Sequence, residues 1–171
     1  FPELTNIHVR ANFPSNVIIT ASERQPVIAW EQGDAVSWID AEGYVFAPRG
    51  EAAIALTIMS EDAPPLQQTS NEASGVKDEE ALIPPQRVKT DIMQAAQKLS
   101  EQLGTGAVIV YSADQGLGWS DPRGWKVFIG ASLNNIDAKV KVYRTLVDKV
   151  LAQGVQPVVF NVEFLDAPYY R

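Results

Sequence analysis

The chain contains no cysteine and only one histidine among its 171 residues. Without cysteine it can form neither a disulfide nor a thiolate metal site, and a single histidine excludes the usual zinc clusters. The sequence therefore predicts no metal site and no cofactor. A chain without cysteine is also compatible with an oxidising compartment.

Positive charge and long apolar runs are also scarce. The chain has 14 Lys and Arg residues and 21 Asp and Glu residues, which gives a net charge of -7. This balance argues against a phosphate-binding surface, so nucleic acid is not expected as a partner. The longest apolar run is AAIALTIM, which is far shorter than the roughly 20 residues of a membrane-spanning helix. Because the first residue is Phe1 rather than Met, we expect a processed product or a fragment.

The usual catalytic motifs are missing from the sequence. No serine lies in a Gly-x-Ser-x-Gly elbow, and no glycine-rich segment has the spacing of a phosphate loop. The nearest acid/base candidates are Asp114 and Asp121, but carboxylates in Gly/Pro loops more often form turns by accepting from backbone amides. His8 lies between Ile7 and Val9, on the polar side of a predicted strand, and is expected to face solvent. We therefore predict no enzyme activity and assign no catalytic residue.

Two tryptophans suggest a different kind of site. Trp119 and Trp125 flank Arg123 in the segment GLGWSDPRGW, and exposed rings at this spacing could stack on a sugar of the cell wall. The alternative, which we favour, is that both rings are buried beneath the loop and use their N–H groups as hydrogen-bond donors.

The first part of the chain predicts short strands joined by tight turns. Apolar and polar residues alternate in LTNIHVRANFP, and VIITASER follows a Pro/Asn turn, which is typical of a hairpin. Further strands are predicted in PVIAW, VSWID and YVF, with Gly43 supplying a positive φ in the turn that begins at Asp40. Residues 51–60 fit either a strand or a short helix, and we favour a strand.

The second half predicts two helices and several strands. Apolar residues recur at helical spacing in VKTDIMQAAQKLSEQLG and in LNNIDAKVKVY, with Asn134 or Asn135 as N-cap of the second helix and Gly104 and Gly154 at the two helix ends. A buried strand is predicted in AVIVYS, and a loop leading into a strand in GLGWSDPRGWKVFIG. The alternation in QPVVFNVEFLDAPYYR predicts one long closing strand.

These elements together indicate an α+β fold with a largely antiparallel sheet and two packed helices, since no βαβ rhythm is present. The segment 61–87 is polar, acidic and bounded by prolines, so it is expected to be a mobile loop. In the stretch ERQPVIAW a charged pair and Pro26 interrupt a strand pattern, and proline cannot donate to a sheet ladder. We therefore predict a boundary that separates a hairpin, residues 1–25, from a domain, residues 26–171.

The order of these motifs resembles the FtsQ/DivIB family of bacterial cell-division proteins. In that family a hairpin ends a small POTRA domain with an aromatic-Pro turn and a Glu-Arg-x-Pro-Val-Ala-x-Trp pattern, and the next domain begins with Val-Asp-x-x-Gly-x-x-Phe. The matching residues are Phe13, Pro14, Glu23, Arg24, Pro26, Val27, Trp30, Asp40, Gly43 and Phe46. A likeness to the family's final strand-helix-strand unit is carried by Gly130, Lys139, Arg144, Val162, Glu163 and Phe164.

The resemblance implies a non-catalytic divisome scaffold that helps coordinate septal peptidoglycan synthesis. It implies that residues 1–25 are the truncated end of a POTRA domain and that residues 26–171 are an FtsQ-type β domain. Both would lie outside the cytoplasmic membrane, anchored by a single N-terminal helix absent from this chain. The implied partners are FtsB and FtsL, or DivIC and FtsL in Gram-positive bacteria.

In the family, the FtsB-type partner adds a strand to the sheet edge at the C-terminal end of the β domain. The partner-binding residues that this implies are Val162, Glu163, Phe164, Leu165, Asp166, Tyr169 and Tyr170. Some members have an arginine where this chain has Leu165, so side-chain charge pairing with the partner differs, whereas backbone pairing needs no particular side chain. Two alternatives stay open, namely a POTRA-containing module of another envelope assembly or secretion system and a cell-wall glycan-binding protein.

Overall fold

The computed structural model describes residues 1–68, 86–104, 106–132 and 134–171. These residues form a nine-stranded mixed sheet, a separate two-stranded sheet and two helices. Antiparallel pairs outnumber parallel ones in the large sheet. The α+β class and the two packed helices predicted from the sequence are confirmed. The expected lack of βαβ units is wrong, since α1 connects the parallel strands β6 and β7 and α2 connects the parallel strands β9 and β10.

The elements follow one another along the chain in a simple order. The strands are β1 (Leu4–Asn12), β2 (Asn16–Glu23), β3 (Pro26–Gln32), β4 (Ala35–Asp40), β5 (Val45–Phe46), β6 (Leu56–Ser60), β7 (Val108–Ser112), β8 (Gly116–Ser120), β9 (Lys126–Gly130), β10 (Val159–Asn161) and β11 (Tyr169–Tyr170). The helices are α1 (Thr90–Leu103) and α2 (Ile136–Ala152). In space the large sheet runs β11-β10-β9-β8-β7-β6-β3-β4-β5, while β1 and β2 pair only with each other.

Both helices pack on one face of the large sheet and enclose a single main core. The apolar positions spaced three and four residues apart in α1 and α2 point into this core, as their amphipathic pattern predicts. Residues with no exposed surface include Leu99 of α1, Ile136 of α2, and Ile109, Val127 and Phe160 of the sheet. Within the described residues no helix lies on the other face of the sheet, which leaves that surface open in this part of the chain.

The segment GLGWS is strand β8, so the loop predicted for it is wrong. Its glycines allow the neighbouring strand to approach closely, since a Cβ placed on Gly118 would lie only 1.9 Å from the Val127 carbonyl oxygen. Glycines usually indicate loops in a sequence, but inside a strand they also mark close backbone approach. Gly118 is a strand glycine of this type, because it allows close approach of the β9 backbone.

The single long closing strand predicted at the C-terminal end is also wrong. The chain forms β10, turns, and returns as β11 antiparallel to β10. The Asn161 side-chain oxygen accepts a hydrogen bond from the Glu163 N–H at 3.0 Å, and the Ala167 N–H donates to the Phe164 carbonyl at 3.3 Å. An asparagine that bonds the backbone two residues on starts a turn, so Asn161 ends the strand that the alternation appeared to extend.

The residues predicted to cap the two helices do so only in part. Gly104 ends α1 as predicted, with φ of 85° and an N–H that donates to the Ser100 carbonyl at 3.0 Å. Asn135 occupies the N-cap position of α2, but its φ is 60° and its side chain makes no capping hydrogen bond. The side-chain cap predicted there is therefore wrong. Neither helix in the described part of the chain is long and apolar enough to cross a membrane.

The predicted mobile loop, residues 61–87, lies largely outside the described residues, which omit 69–85. Its described ends are attached to the body of the protein. Leu66 forms a β-bridge with Val88, and Tyr44 forms one with Arg87. The residues next to α1 are thus fixed against the β4–β5 region.

Arg24 joins the hairpin to the large sheet. Its Nη1 donates to the Asp40 carboxylate at 2.5 Å, its Nε donates to the Pro2 carbonyl at 3.0 Å, and its guanidinium lies 3.9 Å from the centre of the Tyr44 ring. Asp40 is 6% exposed, and its other oxygen accepts backbone N–H groups of the β4–β5 turn. A nearly buried charge-assisted bond of this kind is stronger than a neutral one. The hairpin is therefore held by side chains at its base rather than by shared strand pairing.

Candidate functional site

The predicted partner-binding residues surround the β11 end of the large sheet, but not all of them are accessible. Val162 has no exposed surface, and its N–H donates to the Phe128 carbonyl at 2.8 Å. Val162 thus belongs to the core and cannot contact a partner in the folded protein.

Glu163 is half-buried and contacts its own chain. A Cβ on Gly130 would lie 2.7 Å from the Glu163 Cγ, which shows how closely this side chain covers the glycine. The buried Lys139 ammonium donates to the Ile129 carbonyl at 2.7 Å. Burial lowers the pKa of Lys139, and the charge of Glu163 acts in the opposite direction. Val162 and Glu163, the first two residues of the predicted partner-binding set, therefore contact their own chain and stabilise the fold.

The remaining predicted residues are exposed and lie close together in the chain. Phe164 is 61% exposed, and Leu165, Tyr169 and Tyr170 are each between 37% and 42% exposed. Asp166 is exposed in the turn between them. Large apolar side chains at a sheet edge are typical of protein-protein contact sites, so this group forms the accessible part of the candidate site.

The backbone of β11 leaves hydrogen-bonding groups free on its outer side. The Arg171 N–H donates to the Val159 carbonyl at 3.0 Å, and the Arg171 carbonyl accepts from the Val158 N–H at 2.6 Å. Tyr170 lies one residue before, opposite Phe160. Because hydrogen-bonded and non-hydrogen-bonded positions alternate in an antiparallel pair, the N–H and C=O of Tyr170 point away from β10. Among the described strands none lies on that side.

The opposite end of the sheet is covered. The Val45 N–H of β5 donates to the Gln86 carbonyl at 3.0 Å, and Arg87 donates to the Glu42 carbonyl at 2.7 Å. The segment before α1 thus protects β5 from further strand pairing, as natural edge strands commonly are. The β11 end has no such cover within the described ranges, which makes it the accessible edge of this sheet.

An aromatic cluster supports the open edge from below. The Tyr170 ring lies 5.9 Å from the Phe160 ring, which in turn lies 5.6 Å from Trp125 and 5.4 Å from Tyr143. Aromatic pairs at these distances contribute beyond their buried area. The edge strand is therefore anchored to the main core by the side chain of its second residue.

The cluster ends in a hydrogen-bonded network around Asp121. The Asp121 carboxylate accepts from Arg123 at 2.7 and 2.9 Å and from the Tyr143 hydroxyl at 2.5 Å, and the Trp125 N–H donates to the same hydroxyl at 2.8 Å. The Arg123 hydrogen bonds lower the pKa of Asp121 to about 2, although burial opposes the shift. Burial also raises the pKa of the Tyr143 hydroxyl. Both oxygens of the Asp121 carboxylate accept hydrogen bonds, and these bonds hold the β8–β9 turn in place.

Neither an acid/base pair nor a sugar platform is formed by the residues considered for these roles. Asp114 is exposed in the β7–β8 turn, at the opposite end of β8 from Asp121. Trp119 and Trp125 are only 4% and 6% exposed. The buried arrangement of the two rings, favoured from the sequence, is the one observed. The alternative prediction, that Trp119 and Trp125 form an exposed platform for stacking on a sugar, is therefore wrong.

His8 is exposed on β1, opposite Thr20, as its position in the strand pattern predicts. No group of three His, Asp or Glu side chains in the described ranges is arranged to hold a metal ion.

The sequence patterns missed a second accessible surface, the apolar face of the hairpin. Val9 pairs with Ile19 and Ala11 with Val17, so these side chains share one face of the two strands. Val9, Ile19 and Val17 are 65%, 68% and 60% exposed. The alternation in both strands was visible in the sequence, but only the isolation of the hairpin reveals that this face is open.

No protein-family model matches the chain, and no curated protein matches it either.

Proposed function

We propose that this chain is the extracytoplasmic part of an FtsQ/DivIB-type scaffold, located on the outer side of the cytoplasmic membrane. It binds FtsB/FtsL-type divisome partners by accepting a strand at β11 and thereby helps coordinate septal peptidoglycan synthesis, with no catalytic role of its own. The observation that carries the proposal is the open edge at Tyr170, whose backbone groups point outward while the β5 end is covered.

The side chains around the edge fit an added strand. Phe164 and Leu165 lie in the turn before β11, and Tyr169 lies within it, so all three flank the line along which a partner backbone would run. In strand addition, backbone bonds supply affinity and side-chain contacts supply specificity. Exposed aromatic residues are the most effective anchors of such contacts. A partner strand with apolar side chains at alternate positions meets these requirements.

Amide hydrogen exchange measures the proposed pairing directly. Addition of a peptide from the FtsB-type protein of the same organism is expected to slow exchange of the Tyr170 amide by about 100-fold or more at saturation. The neighbouring Arg171 amide already donates to Val159, so it serves as the internal control and should change much less. Binding without protection of Tyr170 would contradict strand addition at this edge.

The hairpin is proposed to be the end of a POTRA domain whose other elements are not part of this chain. A two-stranded hairpin is at best marginally stable on its own, and the exposed Val9, Ile19 and Val17 side chains form the kind of face that sheets bury against helices. The reverse face carries polar residues such as His8 and Thr20. This one-sided pattern supports a missing layer on the apolar face.

A comparison of two chain lengths tests the hairpin proposal. In a longer chain that includes the residues encoded before Phe1, Ile19→Asp is expected to destabilise the protein by about 2–4 kcal/mol, because it would place a charge in a core. In the 171-residue chain the same change should cost less than about 0.5 kcal/mol, since Ile19 is exposed.

Urea unfolding of both chains gives these values, with Thr20→Asp on the polar face as the matched control. Equal costs of Ile19→Asp in the two chains would rule out a covering layer on this face.

A further inference from the structure

The face of the large sheet opposite the helices contains a groove of about 740 Å³. Its floor is apolar and comes from four strands, with Met59 of β6, Val110 of β7, Phe128 of β9 and Val159 of β10. Val110 and Phe128 are each 5% exposed although neither of the two described helices covers them. Both lie beside Gly118 in the strand register, and the missing side chain there lets the floor dip between them.

One end of the groove is lined by oxygen atoms that accept hydrogen bonds. Glu31, Glu61 and Asp62 lie there because β3 and β6 run parallel and end at the same edge. These acidic residues favour a donor with positive charge at this end of the groove and repel an anion.

The groove is elongated, which restricts what can fill it. It extends from β3, which carries Glu31, to β10 across five strand spacings, or about 24 Å. This length corresponds to an extended peptide of about seven residues. Lys126 stands near the far end, at the start of β9. The lining therefore combines an acidic end, an apolar middle and a basic residue opposite.

We propose that this groove binds an extended segment of a protein partner that carries an arginine or lysine at one end and apolar residues after it. The cationic side chain lies between Glu31 and Glu61, and arginine fits best because its planar group has five donors for separate acceptors. The apolar residues cover Met59 and Val159. The inference goes beyond strand addition at β11, since it concerns the open face of the sheet rather than its edge.

Fluorescence anisotropy with two labelled peptides tests the proposal on the 171-residue chain. The probe Gly-Arg-Leu-Val-Leu-Val-Gly is expected to bind with a Kd of about 100 μM or tighter, and the matched probe with Glu in place of Arg at least about tenfold more weakly. The double variant Glu31→Gln with Glu61→Gln should weaken the first probe by about tenfold and reduce the difference between the probes.

Met59→Lys fills the groove with a charged side chain and should abolish binding. Leu151→Lys is the matched control, since Leu151 is 40% exposed on α2 and does not line the groove. The proposal is overturned if neither probe binds at millimolar concentration, if the acidic probe binds equally well, or if Met59→Lys has no effect. It is also overturned if the chain forms dimers in sedimentation equilibrium that Met59→Lys dissociates, because a second copy would then occupy the groove.

Discussion

Replacement of Tyr170 by proline is expected to weaken binding of an FtsB-type peptide by more than about 100-fold, with a melting temperature within about 2 °C of that of Tyr170→Val, which loses the same ring. Proline removes the N–H that points outward from β11. It leaves the Arg171 bonds to Val159 in place, because these use the next residue. Proline is tolerated on edge strands when its missing N–H faces outward, so the change affects the edge without unfolding the sheet.

Isothermal titration calorimetry with the peptide, together with thermal unfolding, provides the measurement. Tyr170→Val is the matched control, since valine keeps the N–H and suits a strand, and it should lose less than about tenfold in affinity. Proline at Val162 is unsuitable as a test, because the Val162 N–H bonds the Phe128 carbonyl inside the fold. Unchanged affinity of Tyr170→Pro would show that the partner does not pair with this edge.

The second large effect concerns stability and comes from Asp121. Asp121→Ala is expected to lower the free energy of unfolding by about 2–4 kcal/mol, because it leaves the Tyr143 hydroxyl and the Arg123 guanidinium without their shared acceptor. Arg123 is partly exposed and can turn to solvent, whereas Tyr143 is buried and cannot. Urea unfolding measures the loss, with the exposed Asp114→Ala as the control expected within about 0.5 kcal/mol.

The pH dependence of stability follows from the same carboxylate. The pKa of Asp121 falls from 3.8 to about 2 in the folded protein, so the folded state prefers the ionised form. The stabilisation is complete above about pH 4 and is lost as the pH falls toward 2. The difference in stability between the natural chain and Asp121→Asn should therefore shrink over this interval. Parallel stability curves for the two proteins between pH 4 and pH 2 would contradict the role given to Asp121.

Local patterns predicted those parts of the fold that depend on local physics. The spacing in α1, its end at Gly104 and the turn with a positive φ at Gly43 follow from backbone preferences of a few neighbouring residues. One feature depended on a distant contact and was predicted wrongly. Gly118 lies in a strand because Val127 approaches it, and nothing within GLGWS shows that neighbour.

The candidate site was likewise predicted only in part from the sequence. Exposed residues around β11 were found through the resemblance, but alternation placed Val162 and Phe164 on one strand face although one is fully buried and the other 61% exposed. The turn begun by Asn161 separates them. The outward direction of the Tyr170 backbone depends on register, and a sequence without a defined register cannot give it.

The attachment of the hairpin through Arg24 has a mechanical consequence. The nine residues of β1 form a rigid arm of about 30 Å, pivoting near the pair of Arg24 and Asp40. A rotation of about 10° at this pivot would move the tip of such an arm by about 5 Å. The Tyr44 ring touches Arg24 on the arm and also Arg87 before α1, whose guanidinium lies 4.8 Å away. A force applied to the hairpin would therefore act first on the β5 end of the sheet. This end is the one farthest from β11, where a partner strand would join.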